Sequence, residues 1–309
     1  MDRPQWSYSQ IAQYLRCPLQ YYFRRILGLK EEAVSHQLAL GSAVHEALAH
    51  YHRSLQQGPS SNQGQVREAF RHAWHQRKEK DRIDIPADKT EEEVLGQGET
   101  LLNAYLEEAP PQHIVGVEQS MLVPIVTSQG DVLEKPLLAI ADLITRDQTG
   151  IRVHDFKTSS RTYSEFEATT SLQATCYVTA AKSAFGETPS FRYTVLIKTK
   201  KPRVQHLDTT RSEVECGRLG DLIQVIERAL ASGIFYPVES PLNCSGCSYR
   251  RPCLEWGTSD KPEGLIQLGV PGKAVPCSSS FTKKAEPFVS LPGREPYAAR
   301  FSSGRPARM

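Results

Sequence analysis

Apolar positions in "SYSQIAQYLRC" recur at helical spacing, with Ile11, Tyr14 and Leu15 on one face. Ser7 and Gln10 predict a capping box at its start. Pro18 breaks the pattern, and "LQYYFRRILGL" resumes it as a second amphipathic piece ending near Gly28. "GSAVHEALAHYHRSL" predicts another helix, placing Val44, Ala47, Leu48 and Tyr51 on one side, and "GPSSNQG" a loop. Residues 65–82 and 91–108 read as two more helices, closed by "APPQ". The period then changes. "IVGVEQSMLVPIVT", "KPLLAIADLITR" and "IRVHDFKT" are β-rich, the last two joined by the turn "DQTG". A helix over about 164–185, the strand "FRYTVLIKTK", a strand at 203–209 and a helix over 212–232 follow. No internal repeat is visible. The pattern predicts an α/β protein: a helical N-terminal lobe leading into a central mixed sheet flanked by helices.

Composition narrows the class. A chain of 309 residues, 39% hydrophobic, can bury one large core or a core with an appended lobe. No apolar run reaches the roughly 18 residues of a membrane span, and "MDRPQWSYSQ" contains no apolar signal segment. Seven cysteines, three of them closely spaced, fit a reducing compartment with a metal site better than a secreted disulfide framework. The expected location is the cytoplasm. Residues 258–309 carry eight Lys/Arg against four Asp/Glu, leaving 29 against 31 in residues 1–257. The body is thus near neutral, and any nucleic-acid contact must come from local patches. The Pro-, Gly- and Ser-rich stretch 258–309 has too little apolar content for a core and is predicted to be disordered. Cys277 within it has no ligand spacing.

Three residues carry chemistry. Asp142 lies in the apolar strand "LLAIADLI", and Asp155 and Lys157 lie two apart, on one side, in the next strand "VHDFKT". Taken singly, each fits a structural ion pair at a sheet end. Together they offer what phosphodiester cleavage needs: oxygen ligands for Mg²⁺ or Mn²⁺, and a lysine to orient the attacking water or offset developing charge.

"IADLI" with "DFK" thirteen residues on resembles the β-hairpin of the PD-(D/E)XK nuclease superfamily. Three further stretches resemble its RecB-like branch. In "GSAVHEAL" the helical His45 would complete the metal shell. "LQATCY" resembles the Q-x3-Y helix, which assigns Gln173 and Tyr177 to the active site, one helical turn apart. "SYSQIAQYLRCPLQYYFRRILGL" is close to the branch's opening signature. The family usually has Gly three residues before the metal aspartate, where this chain has Ala139. Glu118 in "GVEQSM" aligns with a glutamate often present on the first strand, and is either a metal-site residue or a surface glutamate. Cys176 reads as a small buried hydrophobe.

"NCSGCSYRRPCLEW" sets Cys244, Cys247 and Cys253 in a C-x2-C-x5-C spacing, one thiolate short of a four-ligand soft site. RecB-like nucleases of the AddB type and CRISPR adaptation nucleases place one cysteine before the core and three after it, holding a [4Fe–4S] cluster. That resemblance assigns Cys17 as the fourth ligand and leaves Cys216 a packing residue. Zinc is the alternative, although structural zinc sites usually use paired knuckles. The cluster would staple the first helix to the C-terminal segment.

Basic residues beside aromatics suit a single-stranded path: Arg24 and Arg25 in "YYFRR", Lys198, Lys200, Lys201 and Arg203 in "KTKKPR", and Arg250 and Arg251 in "YRRPC". The division expected is a helical lobe at 1–112, a nuclease core at 113–236, a cysteine segment at 237–257 and a tail at 258–309. The resemblance implies a metal-dependent deoxyribonuclease, an exonuclease acting on single strands or DNA ends in repair, recombination or CRISPR adaptation. The alternative is a non-catalytic iron–sulfur DNA-binding subunit of a helicase–nuclease complex. No Walker-type phosphate loop is present, so a motor would be a separate helicase or adaptation-complex partner.

Overall fold

A computed structural model describes residues 5–31, 33–58 and 62–256; the predicted tail and Cys277 lie outside them. Two short helices open the chain, α1 (Tyr8–Arg16) and α2 (Pro18–Tyr21), followed by a π-turn at Tyr22–Ile26. The predicted capping box does not form: Ser7 Oγ instead donates to Gln10 Oε1 at 2.9 Å. Between the helices Cys17 is extended, and Pro18, which has no N–H to lose, takes the first position of α2.

β1 (Val34–Ser35) leads to α3 (His36–Gln57), then α4 (Gln63–Lys80), β2 (Ile83–Asp84) and α5 (Glu91–Leu106). Asn62 and Thr90 begin α4 and α5 with reciprocal capping boxes to Gln65 and Glu93. The main sheet follows: β3 (Ile114–Val123), β4 (Leu137–Asp147) and β5 (Gly150–Ser159), then α6 (Glu165–Thr169), α7 (Leu172–Phe185), β6 (Ser190–Ile197) and β7 (Arg203–Thr209). α8 (Glu213–Ala231), α9 (Pro241–Cys244) and α10 (Arg250–Leu254) complete the described chain. The helix predicted over 164–185 is two helices, because Ser171 caps a new start at Leu172.

The sheet order is β3-β4-β5-β6-β7, with β5 and β6 parallel and the other neighbours antiparallel. The parallel join needs a crossover, which α6 and α7 supply. α1, α7 and α8 cover one face, where Ile11, Met121, Val153, Val178, Phe191 and Ile223 pack together. α3, α4 and α5 cover the other, with Leu40, Val44, Phe70, Trp74, Leu101, Leu143 and Phe156. Gly98 lets the second layer close: a Cβ there would stand 2.2 Å from Phe70 Cζ. A third, smaller core joins Leu19, Phe23 and Leu29 to Tyr249, with Cys17, Cys247 and Cys253 packed against it. Among the described residues no helix is long and apolar enough to cross a membrane.

Candidate active site

The β4–β5 ladder ends at Leu143–His154, while β5 continues pairing with β6 as far as Ser159. Just beyond that end the hairpin strands part, and side chains take over bonds the ladder no longer makes. Asp142 Oδ2 accepts the Phe156 N–H at 2.7 Å. Its Oδ1 faces His45 Nδ1 at 3.3 Å. His45 reaches the site from α3, whose close approach is allowed by Gly41: a Cβ there would already touch Thr158 Oγ1 at 3.3 Å. The edge of His45 meets Phe156, which stacks on the buried His52 at 5.4 Å.

From the opposite layer α7 delivers Gln173, whose Nε2 donates to Asp155 Oδ1 at 2.6 Å. Asp155 is 2% exposed, and Lys157 Nζ lies 2.5 Å from its Oδ2. Tyr177, a turn beyond Gln173, is bonded to it and half-buried against the same core. His45, Asp142, Asp155, Lys157, Gln173 and Tyr177, drawn from four elements, thus meet at the sheet end.

Two buried carboxylates need compensation. Burial works against the charged Asp142, but the bond and charge of His45 and the Phe156 N–H hold it below the usual carboxylate range. Burial pushes Asp155 up, with Lys157 opposing and the Asp142 charge adding to the rise. Burial disfavours the Lys157 ammonium, yet Asp155 and Asp142 raise its pKa. For His45, burial opposes protonation and the Asp142 carboxylate outweighs it, raising the pKa. His45 and Asp142 thus each favour the other's charged form, as do Lys157 and Asp155.

Glu118 stands opposite Asp142 in the β3–β4 register, between the pairs Val117–Leu143 and Gln119–Ala141. It has φ 50°, a left-handed conformation that L-residues with a long side chain seldom adopt and that costs about 1–3 kcal/mol. Burial, reinforced by Asp142, pushes its carboxyl up to about 7. Strain and a displaced pKa at one residue beside the aspartates are features of functional sites.

Asp142, Asp155 and His45 present oxygen and imidazole donors suited to a hard divalent cation, although among the described residues no three such side chains stand close enough to hold an ion as placed. The same holds for the thiols. Cys17, Cys244, Cys247 and Cys253 are free and partly buried, and Cys17, Cys247 and Cys253 pack against the same small core; burial raises the Cys253 pKa first, and Cys17, Cys247 and Cys244 each raise it further. N–H donors point at the sulfurs, Val238 N to Cys17 Sγ at 3.5 Å and Gln20 Nε2 to Cys247 Sγ at 3.8 Å. Cys216 lies apart from them against the first core, and Cys176 is 1% exposed within it.

The basic residues fall in two places. Lys200, Lys201 and Arg203 are exposed at the β6–β7 turn, while burial lowers the pKa of the partly buried Lys198. Arg24 pairs with Glu31, Arg25 donates to Gln13, and Arg250 and Arg251 are exposed near the cysteines. Sequence reasoning passed over Tyr8 and Tyr193. Tyr8 feels Lys157 and Asp155 from α1, and the Lys157 ammonium lies over the ring of Tyr193. The parallel β5–β6 register that makes Tyr193 a neighbour of Asp155 has no signature in local sequence.

The model of the PD-(D/E)XK nuclease superfamily matches residues 5–254. A solved candidate exonuclease from Eubacterium rectale is similar in fold, at 12% identity and a TM-score of 0.50, covering 80% of this chain and 88% of its own. The solved protein SSO0001 matches at 13% identity and a TM-score of 0.31, over 71% of this chain and 84% of its own. No curated protein matches by sequence. With the family match spanning both helical layers, the whole sheet and the cysteine segment, the chain belongs to the PD-(D/E)XK nuclease superfamily.

Proposed function

We propose that the protein is a metal-dependent deoxyribonuclease of the RecB-like kind, acting on single strands or DNA ends. The observation that carries this reading is the convergence of His45, Asp142, Asp155, Lys157 and Gln173 where the β4–β5 ladder ends. Asp142, Asp155 and His45 would hold Mg²⁺ or Mn²⁺, with Glu118 beside them. Such a cation polarises the phosphoryl oxygen and acidifies a water. The protein's own part is positional. The Phe156 N–H fixes one oxygen of Asp142, Gln173 fixes one oxygen of Asp155, and Lys157 keeps a positive charge at the other, beside the charge that develops on the phosphate. Tyr177 supports Gln173 from the next turn of α7.

Cys17, Cys244, Cys247 and Cys253 would hold a [4Fe–4S] cluster. Support comes from Cys17, Cys247 and Cys253 packing against one small core, with N–H groups aimed at two of the sulfurs, since such bonds stabilise cluster thiolates. The exposed basic residues at the β6–β7 turn and near the cysteines are the candidates for DNA contact.

The test is incubation of anaerobically purified protein with end-labelled single- and double-stranded DNA in Mn²⁺, Mg²⁺ or EDTA. Metal-dependent shortening of labelled strands is the expected result. DNA binding with no cleavage in either metal would return the chain to the scaffold reading.

A further inference from the structure

Lys157 is tied to the helix carrying Gln173 by a route that does not pass through the aspartates. β5 and β6 run parallel with Asp155 paired to Tyr193. Lys157 Nζ lies 5.8 Å from the centroid of the Tyr193 ring, within cation–π range. Tyr193 is 4% exposed and the Lys157 side chain 27%, so water is shut out from the ring side of the contact and reaches the ammonium only in part. The Tyr193 hydroxyl lies 2.6 Å from Ser171 Oγ. Ser171 is the N-cap of α7, accepting the Ala174 N–H, and two residues later Gln173 grips Asp155.

These contacts close a circuit: Asp155, Lys157, Tyr193, Ser171, Gln173 and back to Asp155. It is braced from behind. The buried guanidinium of Arg211 donates to the carbonyls of Ala168 and Ser171 and to Thr175 Oγ1, fixing the turn where α7 starts. Phe191 and Tyr163 meet Tyr193 edge-on at 4.8 and 5.9 Å and set the plane of its ring.

A lysine ammonium is a compact charge on a flexible stem and has no fixed direction of its own. Asp155 alone would leave it free to swing about one contact. A second contact on an aromatic face removes that freedom. We infer that Tyr193 is a positioning residue: its ring, locked by the hydroxyl bond to Ser171, holds the Lys157 ammonium on Asp155 in the orientation the reaction uses. The effect on rate rests on the nuclease reading above; the holding of the ammonium does not.

The experiment uses the full chain and four variants: Tyr193→Phe, Tyr193→Leu, Ser171→Ala and Ser171→Thr. The first readout is independent of activity: the side-chain ammonium ¹⁵N–¹H signal of Lys157, assigned by its loss in Lys157→Ala. It should be protected from exchange in the wild type and in Ser171→Thr, weaker in Tyr193→Phe and Ser171→Ala, and lost in Tyr193→Leu. The second readout is metal-dependent cleavage. Tyr193→Leu should lower kcat by about 10-fold, the rate equivalent of a partly desolvated cation–π contact, with KM unchanged. Tyr193→Phe and Ser171→Ala should each lower it less, and their combination no further than either alone, because both break the same bond. A Lys157 signal equally protected in Tyr193→Leu overturns the inference. So does full additivity of Tyr193→Phe and Ser171→Ala in kcat. A wild type that cleaves nothing while its Lys157 signal responds as described overturns the nuclease reading and leaves the holding role standing.

Discussion

Burial drives the Asp155 carboxyl up and works against the Lys157 ammonium, and each group opposes that effect on the other. Removing either takes away the other's ion-pair partner, leaving Asp155 with Gln173 or Lys157 with Tyr193. Asp155→Ala and Lys157→Ala should each lower cleavage by more than about 1,000-fold, since loss of charge stabilisation at the reacting centre costs several kcal/mol. Single-turnover assays with both metals check this, and cleavage near the wild-type rate in either variant removes the residue from the chemistry. Glu118 allows a test on folding. Its carboxyl moves from the ordinary 4.5 up to about 7 in the fold, so the folded state holds its proton more tightly than the unfolded chain. Its contribution to stability is complete below about pH 4.5 and is lost as pH rises through about 7. In EDTA, Glu118→Gln should therefore flatten the fall in Tm across that window. An identical pH profile in wild type and variant would show that Glu118 titrates normally.

Elements were legible where one period ran long enough to be read. The apolar stripes of α1 and α3, the strands β4 and β5 and the helix α8 stand within a few residues of the positions their patterns predict. Pairing was not legible. The strand carrying Asp155 and Lys157 could be read, but the parting of β4 and β5 beyond Leu143–His154, which gives Asp142 the Phe156 N–H, depends on sheet twist and on the second helical layer. Tyr193 and Ser171 are hidden for the same reason: their roles arise from contacts across 22 to 38 residues of chain that no local pattern encodes. Gly98 is a further case. In sequence it is a weak helix residue, whereas in the fold it is the gap that admits Phe70. Gly98→Ala should destabilise the protein by about 1–3 kcal/mol through overpacking, despite the better helix propensity of alanine. Thermal unfolding decides it, and a raised Tm would mean that α5 has room to shift.

Across the whole molecule, the first and last described segments hold each other. Trp6 Nε1 donates to Glu227, Tyr14 Oη to the Ile234 carbonyl, Leu19 N to the Tyr236 carbonyl and Tyr249 Oη to the Leu29 carbonyl. A cluster on Cys17, Cys244, Cys247 and Cys253 would add metal–thiolate bonds across the same seam. Cys17→Ala should then remove the broad absorption near 400 nm (roughly where thiolate-to-iron charge transfer falls) and raise protease sensitivity at both segments together. Cys216→Ala is the matched control and should retain the iron. Iron content and limited proteolysis check both variants, and full iron in Cys17→Ala would move the fourth ligand elsewhere.

That seam also has a bearing on synthesis. A ribosome delivers Trp6, Tyr14, Leu19 and Leu29 first, and their partners at 227, 234, 236 and 249 more than two hundred residues later. The apolar face of α1 meets the sheet and α7 earlier, beginning with Trp6 against Pro136 and Leu137, but these four bonds form last, although α1 borders the site through Tyr8. Until residues 227–249 have emerged those bonds cannot form, although the strands carrying Asp142, Asp155 and Lys157 precede them in the chain. The last part of the hold on α1 is thus set only after the strands that carry the two aspartates have been made.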